Sequence, residues 1–522
     1  MISLDGFWHG LAIVLALTFV GGRMFARWLR ARGLRWTWAL LGFGLTFVLF
    51  AVPLLANGVA GASVVACWKG ARWHRCDLAQ ERDLAEVARA RLGPAGVLIR
   101  WARNVRVARR GWVDGRTLVV GRDVRGGAIS IPVGERAGSH TLVLGATGSG
   151  KTVSEAWIAG RLVAHGHGAI VIDPKGDDGL RTELQTVARL ARRPFLEWTP
   201  EGPCSYNPYA SGSDGEIVDK ALAGEVFTEP HYLRLTQRYL GHAVRTMRAA
   251  KIPITVGTLM TNLHPDRLEE TARALPAEQA KVVEEYLDSL VERQRRDLAG
   301  ARDRLSILAE SEVSRWFDPE GAPAIDLRGA VASHGVVYFA LDSDRRPLLA
   351  QMVAAALVSD LVTLAAHLQD HPIPTVVLID EFSAVAARQV SRLFGRARSA
   401  GMSLLLATQE LADLQAVDAG LRDQVLGNVE TVIAHRQNVP ASAETIAKVA
   451  SSKPAWVTTQ QTEDRWFGLA LSGRGSRRRD YEQEIHPSRV QQLYTGQALV
   501  ITPGSGQRPV IASINHPAEA YR

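Results

Sequence analysis

Cysteine is scarce in this sequence of 522 residues, and no two of its cysteines form a Cys-x-x-Cys pair. The three that occur, Cys67, Cys76 and Cys204, are too few for a chain of this length to depend on disulfides, so a disulfide scaffold is excluded. The histidines are scattered, and His165 and His167 have no further metal-ligand residues beside them in the sequence. The sequence therefore predicts no transition-metal site.

Internal repeats and low-complexity tracts are also missing, and the balance of residue types is that of a globular protein. Hydrophobic residues make up 47% and charged residues 22% of the chain, which provides enough apolar material for a sizeable core. The net charge is +8. This excess favours a polyanion or an anionic membrane face as partner, although a genome that favours arginine would produce the same excess.

Two apolar stretches near the start predict a membrane anchor. They run over about residues 7–22 and 36–56, and roughly 20 apolar residues span the hydrocarbon core as a helix. A signal peptide is not expected, because Arg23 follows the first stretch in place of a small-residue cleavage site. We therefore expect a multi-pass protein of the inner or plasma membrane. Interfacial aromatics are expected at Trp8, Trp28, Trp36 and Trp38.

The loop between the two stretches conflicts with the simplest topology. The positive-inside rule would place this loop in the cytosol, and a two-helix hairpin would then place the residues after Ala66 outside. Residues 145–152 match G-x-x-x-x-G-K-[ST], a pattern that predicts nucleotide binding and so requires the cytosol, where ATP is found. We give that requirement more weight than the charge count. The arginines of the loop are Arg23, Arg27, Arg30, Arg32 and Arg35.

Short, continuously apolar runs alternate with helical patterns after residue 140, and they predict an α/β fold with a mainly parallel sheet. The predicted strands are residues 141–144, 169–173, 336–341, 375–380, 403–408 and 431–434. The arginine-rich segment 474–479 is predicted to be a solvated loop that could contact nucleic acid. The predicted domains are a membrane anchor (1–76), a connector with short strands (77–140), a nucleotide-binding domain (141–213 and 318–522) and an inserted all-α domain (214–317).

Residues 145–152 match the pattern G-x-x-x-x-G-K-[ST], with a predicted strand before them and a helix after them. The glycines let backbone N–H groups surround phosphates, and the helix N-terminus adds positive potential. Lys151 is expected to reach the β- and γ-phosphates of ATP, and Thr152 to place its hydroxyl on Mg²⁺. The predicted nucleotide-binding residues are Gly145, Ala146, Thr147, Gly148, Ser149, Gly150, Lys151 and Thr152.

Polar residues follow two of the other predicted strands. Asp380 and Glu381 end one of them, where an aspartate can hold Mg²⁺ and a following glutamate can polarise the attacking water. Gln409 ends the next strand and could sense the γ-phosphate or orient water. The arginines on the helix after Glu381 form either a solvated face or the source of an arginine finger that acts on the next subunit. These are Arg392, Arg396 and Arg398.

The order and spacing of these motifs resemble the type IV secretion coupling proteins, the conjugative DNA-transfer ATPases of the TraD/TraG kind. The resemblance covers about residues 110–510 and implies a RecA-like P-loop domain with an inserted all-α domain and two N-terminal membrane segments. By position, Arg398 matches the finger arginine of the family and Gln409 its sensor glutamine. The segments that carry the resemblance are 140–152, 172–177, 206–208, 379–382 and 398–409.

The resemblance implies a homo-hexamer that couples ATP hydrolysis to DNA transfer, usually of a single strand with an attached relaxase. DNA, relaxase or relaxosome proteins, an inner-membrane secretion channel and the lipid bilayer would be its partners. One alternative is an FtsK-like translocase of double-stranded DNA, against which the helical insertion argues. Another is a nucleotide-gated docking receptor with little hydrolysis, against which the set of Lys151, Asp380 and Glu381 argues.

Overall fold

The computed structural model describes most of the chain after residue 138 and several segments before it. The described chain divides into two compact units. The first contains Met1–Trp112, Gly121–Ile129 and Ile511–Ser513, and the second contains Val113–Val120, Ser130–Val510 and Ile514–Arg522. The described residues are 14–31, 36–48, 53–79, 113–114, 116–123, 126–134, 138–223, 230–318, 322–385, 387–450, 452–465, 468–503 and 508–521.

Short helices and one long helix make up the described N-terminal part of the first unit. Small residues allow close approach between them: a Cβ atom added to Gly22 would lie 2.7 Å from the backbone oxygen of Ala62. The helices are α1 (Gly22–Ala31), α2 (Leu41–Val48) and α3 (Pro53–Ala79), with a π-helical turn at Leu17–Gly21 and a 3₁₀ turn at Trp36–Leu40.

These helices share a small buried cluster and leave several large apolar residues exposed. The buried cluster consists of Ala26, Leu29, Ala39 and Ala66. The predicted membrane stretches fall only partly within this region, because residues 7–13 and 49–52 lie outside the described ones. The exposed large apolar residues of this unit include Phe19, Val20, Met24, Leu40, Leu41, Leu45, Val64 and Trp68.

The sheet of the second unit contains the apolar runs that the sequence shows. Each of the six predicted strands is present within one residue of its expected bounds, since short β-branched and aliphatic runs suit a sheet that is buried on both faces. The strands are β1 (Val113–Asp114), β2 (Thr117–Asp123), β3 (Ala128–Pro132), β4 (Thr141–Leu144), β5 (Gly168–Asp173), β6 (Phe195–Trp198), β7 (Val336–Ala340), β8 (Thr375–Ile379), β9 (Met402–Thr408), β10 (Thr431–Ala434), β11 (Ser452–Arg465), β12 (Gly468–Gln483), β13 (Gln497–Ile501) and β14 (Val510–Ile514).

The centre of the sheet is parallel, which confirms the predicted α/β class with a mostly parallel sheet. Seven strands lie side by side in the order β10-β4-β9-β8-β5-β7-β6, and every neighbouring pair among them is parallel. β13 pairs antiparallel with β10, and β14, β2 and β1 continue the sheet, with β3 on β2. All seven parallel strands therefore end at the same edge, where the loop after β4 begins.

One structural finding differs from the sequence prediction. The arginine-rich segment 474–479 is part of β12 rather than a loop, and β12 pairs with β11 to form a separate two-stranded antiparallel sheet. β12 lies in a two-stranded ribbon outside the main sheet, and its sequence has no long continuous apolar run. The apolar-run criterion therefore did not find it.

Helices surround the sheet and fill the interval between β6 and β7. Six of them, α6 to α11 in the numbering below, lie within the span predicted to be all-α, although the domain boundaries themselves stay a prediction. The helices of this unit are α4 (Lys151–Ala164), α5 (Asp178–Leu190), α6 (Asp214–Ala221), α7 (Pro230–Ala249), α8 (Val256–Asn262), α9 (Pro265–Arg273), α10 (Ala277–Asp288), α11 (Glu292–Ala309), α12 (Leu327–Ala332), α13 (Pro347–His367), α14 (Phe382–Val385), α15 (Ala387–Ala397), α16 (Leu411–Val417), α17 (Leu421–Asn428), α18 (Pro440–Val449) and α19 (Pro487–Gln491).

Among the described residues, α13 alone is both long and apolar enough to cross a membrane. This helix is mostly buried inside the second unit, where it packs against α6 and α15. Its apolar character is thus explained by the core of the α/β unit. The N-terminal membrane anchor stays a prediction.

Candidate functional site

The loop between β4 and α4 has the backbone shape that a phosphate-binding loop needs. Gly148 has a φ of 74° and Gly150 a φ of 106°, left-handed values that glycine adopts without steric cost. The loop is tied to neighbouring segments by its backbone. The Ala146 N–H donates to the carbonyl of Arg436 at 3.1 Å, and the Ser149 carbonyl accepts from the Gly496 N–H at 3.0 Å.

The groups in this loop fit an oxyanion such as a phosphate. The first turn of α4 contains no acidic residue of its own, and the free N–H groups at this end of the helix add positive potential. The Ser149 hydroxyl is buried and has no hydrogen-bond partner among the described residues. A Cβ atom added to Gly148 would meet nothing within 4 Å, so the loop is open on that side. Orphaned donors beside a helix N-terminus are what a phosphate chain requires.

Lys151, the first residue of α4, contacts the carboxylates at the end of β8. Its Nζ donates to Oδ1 of Asp380 and, at 3.2 Å, to Oε1 of Glu381. Oε1 of Glu155 lies 3.9 Å away. Burial alone would lower the pKa of this ammonium, but the carboxylates of Glu155, Asp380 and Glu381 outweigh it and raise the pKa. Lys151 is therefore charged at every physiological pH.

Glu381 is held from several sides. Its backbone has a φ of 43°, a left-handed value that costs energy in a residue with a side chain, and its N–H donates to Oδ1 of Asp380 at 2.8 Å. Nε2 of Gln409 donates to Oε1 of Glu381 at 3.0 Å, and Nζ of Lys175 lies 3.6 Å from the same oxygen. The structure thus brings together Lys151, Asp380, Glu381 and Gln409, four residues that the sequence predicts for one site. Thr152 follows Lys151 on α4.

The Asp380 carboxyl is buried, and burial is the main reason that its pKa is raised, with Lys151 acting in the opposite direction. Asp380 and Thr152 are the predicted protein ligands of Mg²⁺. The described residues contain no group of three or more His, Cys, Asp or Glu that could hold a metal ion. One or two protein oxygens suit Mg²⁺ that is bound together with phosphates, because this ion keeps several waters and rarely uses an all-protein cage.

Sequence reasoning missed Glu155, which lies one helical turn after Lys151. It is fully buried, and neither carboxylate oxygen has a hydrogen-bond partner among the described residues. Burial, and next the nearby charge of Asp380, raise its pKa well above the ordinary value. The i, i+4 spacing from Lys151 was the available signal, but such pairs on helix surfaces are too common to indicate a site.

Sequence reasoning also missed His435, the residue directly after β10. Its Nδ1 donates to the carbonyl of Gln497 at 2.9 Å, and its Nε2 accepts from the Ser154 hydroxyl at 2.8 Å. The ring lies close to the loop, since a Cβ atom added to Gly145 would lie 2.9 Å from Cβ of His435. Burial lowers the pKa of His435 to about 4. The ring is therefore neutral at pH 7 and supports the loop without adding charge.

Asp173 at the end of β5 shapes the segment that contains Lys175. Its Oδ1 accepts from the N–H groups of Lys175 and Gly176 at 2.9 and 2.8 Å, and its Oδ2 accepts from the N–H of Asp177 at 2.6 Å. The Tyr338 hydroxyl also donates to it. The carboxylate thus fixes the turn that places Lys175 beside Glu381.

Arg398 does not lie in the site formed by its own chain. It precedes β9, at the edge where the parallel strands begin, whereas Lys151 follows the carboxyl end of β4. Its Nη2 lies 2.7 Å from Oε1 of Glu430, and about half of the Arg398 side chain is exposed. Any action of Arg398 on a phosphate would therefore involve the site of another subunit.

Two family models match parts of the chain. Residues 119–312 match a model described as the central domain of helicase HerA, and residues 374–494 match one described as the TraM recognition site of TraD and TraG. The first match contains the glycine-rich loop, and the second contains Asp380, Glu381 and Gln409. No curated protein sequence matches this chain.

Solved structures with the same fold include conjugation proteins. The unbound form of the bacterial conjugative coupling protein TrwBdeltaN70 is 16% identical over 79% of this chain and 91% of its own, with a TM-score of 0.58. TrwB with ADP and Mg²⁺ is 14% identical over 79% of this chain and 92% of its own, with a TM-score of 0.55. VirB4 of Thermoanaerobacter pseudethanolicus is 16% identical over 79% and 100%, with a TM-score of 0.51. At these identities the likeness shows the fold.

Proposed function

We propose, from its confirmed resemblance to the type IV secretion coupling proteins, that this chain is a membrane-anchored ATPase that moves DNA through a conjugation channel. The observation that carries the proposal is the meeting of Lys151 with Asp380, Glu381 and Gln409 at the edge where β4, β8 and β9 end. A glycine-rich loop, a lysine, two strand-end acids and a glutamine at one edge are the parts that hydrolyse ATP in P-loop enzymes.

Lys151 and the loop would bind the phosphates of ATP. The ammonium is charged because the surrounding carboxylates raise its pKa, so it can exchange these carboxylates for phosphate oxygens without gaining a proton. The Ser149 hydroxyl and the N–H groups at the start of α4 would supply further hydrogen bonds. Thr152 and Asp380 would hold Mg²⁺, which would supply positive charge beside the phosphates.

Glu381 would polarise the attacking water. A general base must hold its carboxylate in a fixed direction, and Gln409, Lys175 and the Asp380–Glu381 backbone contact together do this. Movement of Lys151 toward phosphate would remove one competing donor from Oε1 of Glu381. Gln409 would then link the position of Glu381 to the state of the terminal phosphate.

A homo-hexamer would complete the site with Arg398 from a neighbouring subunit. Its location at the opposite edge of the sheet supports action in trans. The side chains of Arg398 and Glu430 are both partly exposed where they pair. Surface ion pairs of this kind contribute only about 0–1 kcal/mol, so a phosphate could displace Glu430 easily. Arginine fingers of this kind raise rates by about 10³–10⁵ where they occur.

The N-terminal unit would lie in the inner membrane, with the ATPase unit in the cytoplasm. Support comes from its large exposed apolar residues, such as Phe19, Met24 and Trp68, and from the close approach of Gly22 to the backbone of Ala62. Small residues between helices and large apolar residues toward the surroundings are typical of helices packed in lipid.

The partners follow from the family models and the solved structures. The match to a TraM recognition site supports contact with a relaxosome protein, and the TrwB structures are those of a conjugative coupling protein. We favour a relaxase-bound single strand as cargo. An FtsK-like duplex translocase remains the alternative, and stimulation of ATP hydrolysis by duplex DNA alone would favour it.

ATP hydrolysis with and without DNA tests the proposal. We expect the full-length chain in detergent to hydrolyse ATP faster with single-stranded DNA. Lys151→Ala should lower turnover about 100-fold or more, because no other charged donor of the loop reaches the phosphates. Lys175→Ala is the matched control, since it removes a nearby lysine whose Nζ lies 3.6 Å from Glu381 and which is outside the glycine-rich loop, and it should have a smaller effect. Unchanged turnover in Lys151→Ala, with wild-type folding, would refute the proposal.

A further inference from the structure

Helix α15 has an apolar side and an arginine side. Arg388, Arg392 and Arg396 recur at every fourth position, and all three are exposed. Residues four apart lie on the same face of a helix, so these three form one row, which we name the arginine row. The other side of α15 is buried within the second unit, where the helix packs against α13 and α17. Its buried residues are Ala387, Val390, Leu393, Phe394 and Ala397.

The arginine row has no acidic counterpart on its own helix. No Asp or Glu occurs in the sequence between Glu381 and Glu410. Among the described residues, Arg388 and Arg396 have no ion-pair partner, and Arg392 has Asp219 of α6 at 3.7 Å. Like charges four residues apart destabilise a helix. The row is therefore an unfavourable arrangement that α15 itself does not compensate.

A solvated helix face in the same chain looks different. α9 also exposes two arginines, but Arg267 pairs with Glu270 and Arg273 pairs with Glu269. Each arginine of α9 thus has its acid on its own helix, one turn away. The uncompensated row of α15 is better explained by an anionic partner outside the chain.

The spacing of the arginine row suits a chain of phosphates. Each turn of four residues rises about 6 Å, so the row extends about 12 Å from Arg388 to Arg396. One DNA strand places a phosphate about every 3.4 Å of helix axis, so about three phosphates fall within this length. The guanidinium fork binds a phosphate by two parallel hydrogen bonds. Gly395 lies beside the row, and a Cβ atom added there would meet nothing within 4 Å, so a strand can approach the helix closely.

We propose that the arginine row of α15, at Arg388, Arg392 and Arg396, contacts the sugar–phosphate backbone of one DNA strand. The contact would not depend on base sequence, because arginines neutralise phosphates whatever the bases are. The row contains no aromatic residue on which unpaired bases could stack, so its ligand is the backbone alone. This inference rests on the proposed DNA-dependent ATPase and names one surface through which that ATPase holds its cargo.

α15 is connected to the site that would hydrolyse ATP. β8 leads through Asp380, Glu381 and the short helix α14 into α15. The hydroxyl of Ser383 in α14 forms a hydrogen bond of 2.8 Å with that of Thr408, the residue before Gln409. α15 itself contacts α14 and β9. A shift of Glu381 or Gln409 during hydrolysis would therefore be transmitted to a helix that holds DNA.

Binding of a labelled oligothymidylate by the full-length chain in detergent, across a salt series and without nucleotide, tests the inference. We expect Arg388→Ala/Arg396→Ala to weaken binding about 10-fold or more and to reduce the salt slope by about 1.4, because each phosphate contact on a single strand contributes about 0.7. Arg388→Lys/Arg396→Lys should retain most of the salt slope, since its charge is unchanged. The matched control is Arg267→Ala/Arg273→Ala, which removes the same charge from α9 and should bind as the wild type does.

Urea unfolding without DNA separates a DNA contact from a role in the fold. The double alanine variant of α15 should be at least as stable as the wild type, because it loses like charges from one helix face. A clear loss of stability would assign the row to the fold and overturn the inference.

The remaining outcomes separate the arginine row from the proposed function. Wild-type binding and salt slope in the double alanine variant of α15 would overturn the inference, as would an equal loss in the α9 control. A loss of ATP turnover with unchanged DNA binding would also overturn it and would assign the row to the ATP site of a neighbouring subunit. If the wild-type chain neither binds DNA nor responds to it, the proposed function itself fails and the inference falls with it.

Discussion

Lys151 and its carboxylate neighbours show how one buried cation can hold a site together and still be available to a ligand. The ammonium contacts Asp380 and Glu381, with Glu155 one helical turn away. Breaking one partner from a buried ion pair leaves an uncompensated charge, which is costly. In the proposed function, phosphate oxygens would replace these carboxylates, so ligand binding would release the acids without leaving Lys151 unpaired.

His435 predicts a pH dependence of stability. Its pKa is about 4 in the folded chain, against 6.5 for an ordinary histidine. The unfolded chain therefore binds a proton as pH falls below 6.5 while the folded chain does not, and stability is lost progressively down to about pH 4. The full loss from this residue is on the order of 3 kcal/mol. Above pH 6.5 the residue contributes no pH dependence.

Urea unfolding of the wild type and of His435→Asn at several pH values measures this effect. The variant should be less stable at pH 7, because it loses contacts to Ser154 and Gln497, and the difference should narrow between pH 6.5 and 4. The comparison is needed because burial also lowers the pKa of His140 and His167 to about 4, and their contributions cancel between the two proteins. A stability difference between wild type and His435→Asn that stays constant from pH 6.5 to pH 4 would contradict the low pKa of folded His435.

At the scale of elements, one buried carboxylate adds polar contacts to the apolar packing of α13. Oδ1 of Asp360 accepts from Nζ of Lys220 on α6 at 2.6 Å and from the Ser211 hydroxyl at 3.0 Å, and its Oδ2 accepts from the Tyr206 hydroxyl at 2.9 Å. The Lys220 side chain is 1% exposed. The Asp360 carboxylate therefore links α13 to α6 and to the segment that precedes α6.

Asp360→Ala should lower the free energy of unfolding by about 3–5 kcal/mol, because it leaves the Lys220 ammonium buried and unpaired. Lys220→Met/Asp360→Leu should recover most of this loss, since replacing both members of a buried pair with apolar residues is often neutral. The matched control is Asp219→Ala, which breaks an exposed pair with Arg392 and should cost less than about 1 kcal/mol. Equal losses in Asp360→Ala and Asp219→Ala, measured by urea unfolding, would rule out this role.

The sequence predicts best those elements whose identifying pattern lies within one short continuous segment. Continuous apolar runs predict the buried parallel strands, and the strand–loop–helix context predicts the nucleotide-binding loop. β6 was missed because Glu197 interrupts a very short run, and its charge is accommodated by Arg181, whose Nη2 lies 2.8 Å from Oε2 of Glu197. β12 was missed because its sequence contains no long apolar run of the kind that predicts the strands of the main sheet.

At the scale of the whole molecule, the sequence predicts which strand ends meet but not what surrounds them. The shared edge of a parallel sheet explains why Lys151, Asp380, Glu381 and Gln409 come together. His435 and Glu155 could not be assigned because their environment depends on long-range packing of β10 and β8 around α4. The place of Arg398 at the opposite edge follows from strand direction, and it is consistent with the predicted finger that acts on the next subunit.

ATP binding and turnover by the Glu381→Gln chain show whether ATP is cleaved at the end of β8. We predict that the variant binds MgATP with an affinity close to that of the wild type, because Lys151, Asp380 and the loop are unchanged. Its turnover should fall about 10²–10⁴-fold, since the amide cannot accept a proton from the attacking water. Hydrolysis at the wild-type rate by a folded Glu381→Gln chain would contradict the claim that this strand end is where ATP is cleaved.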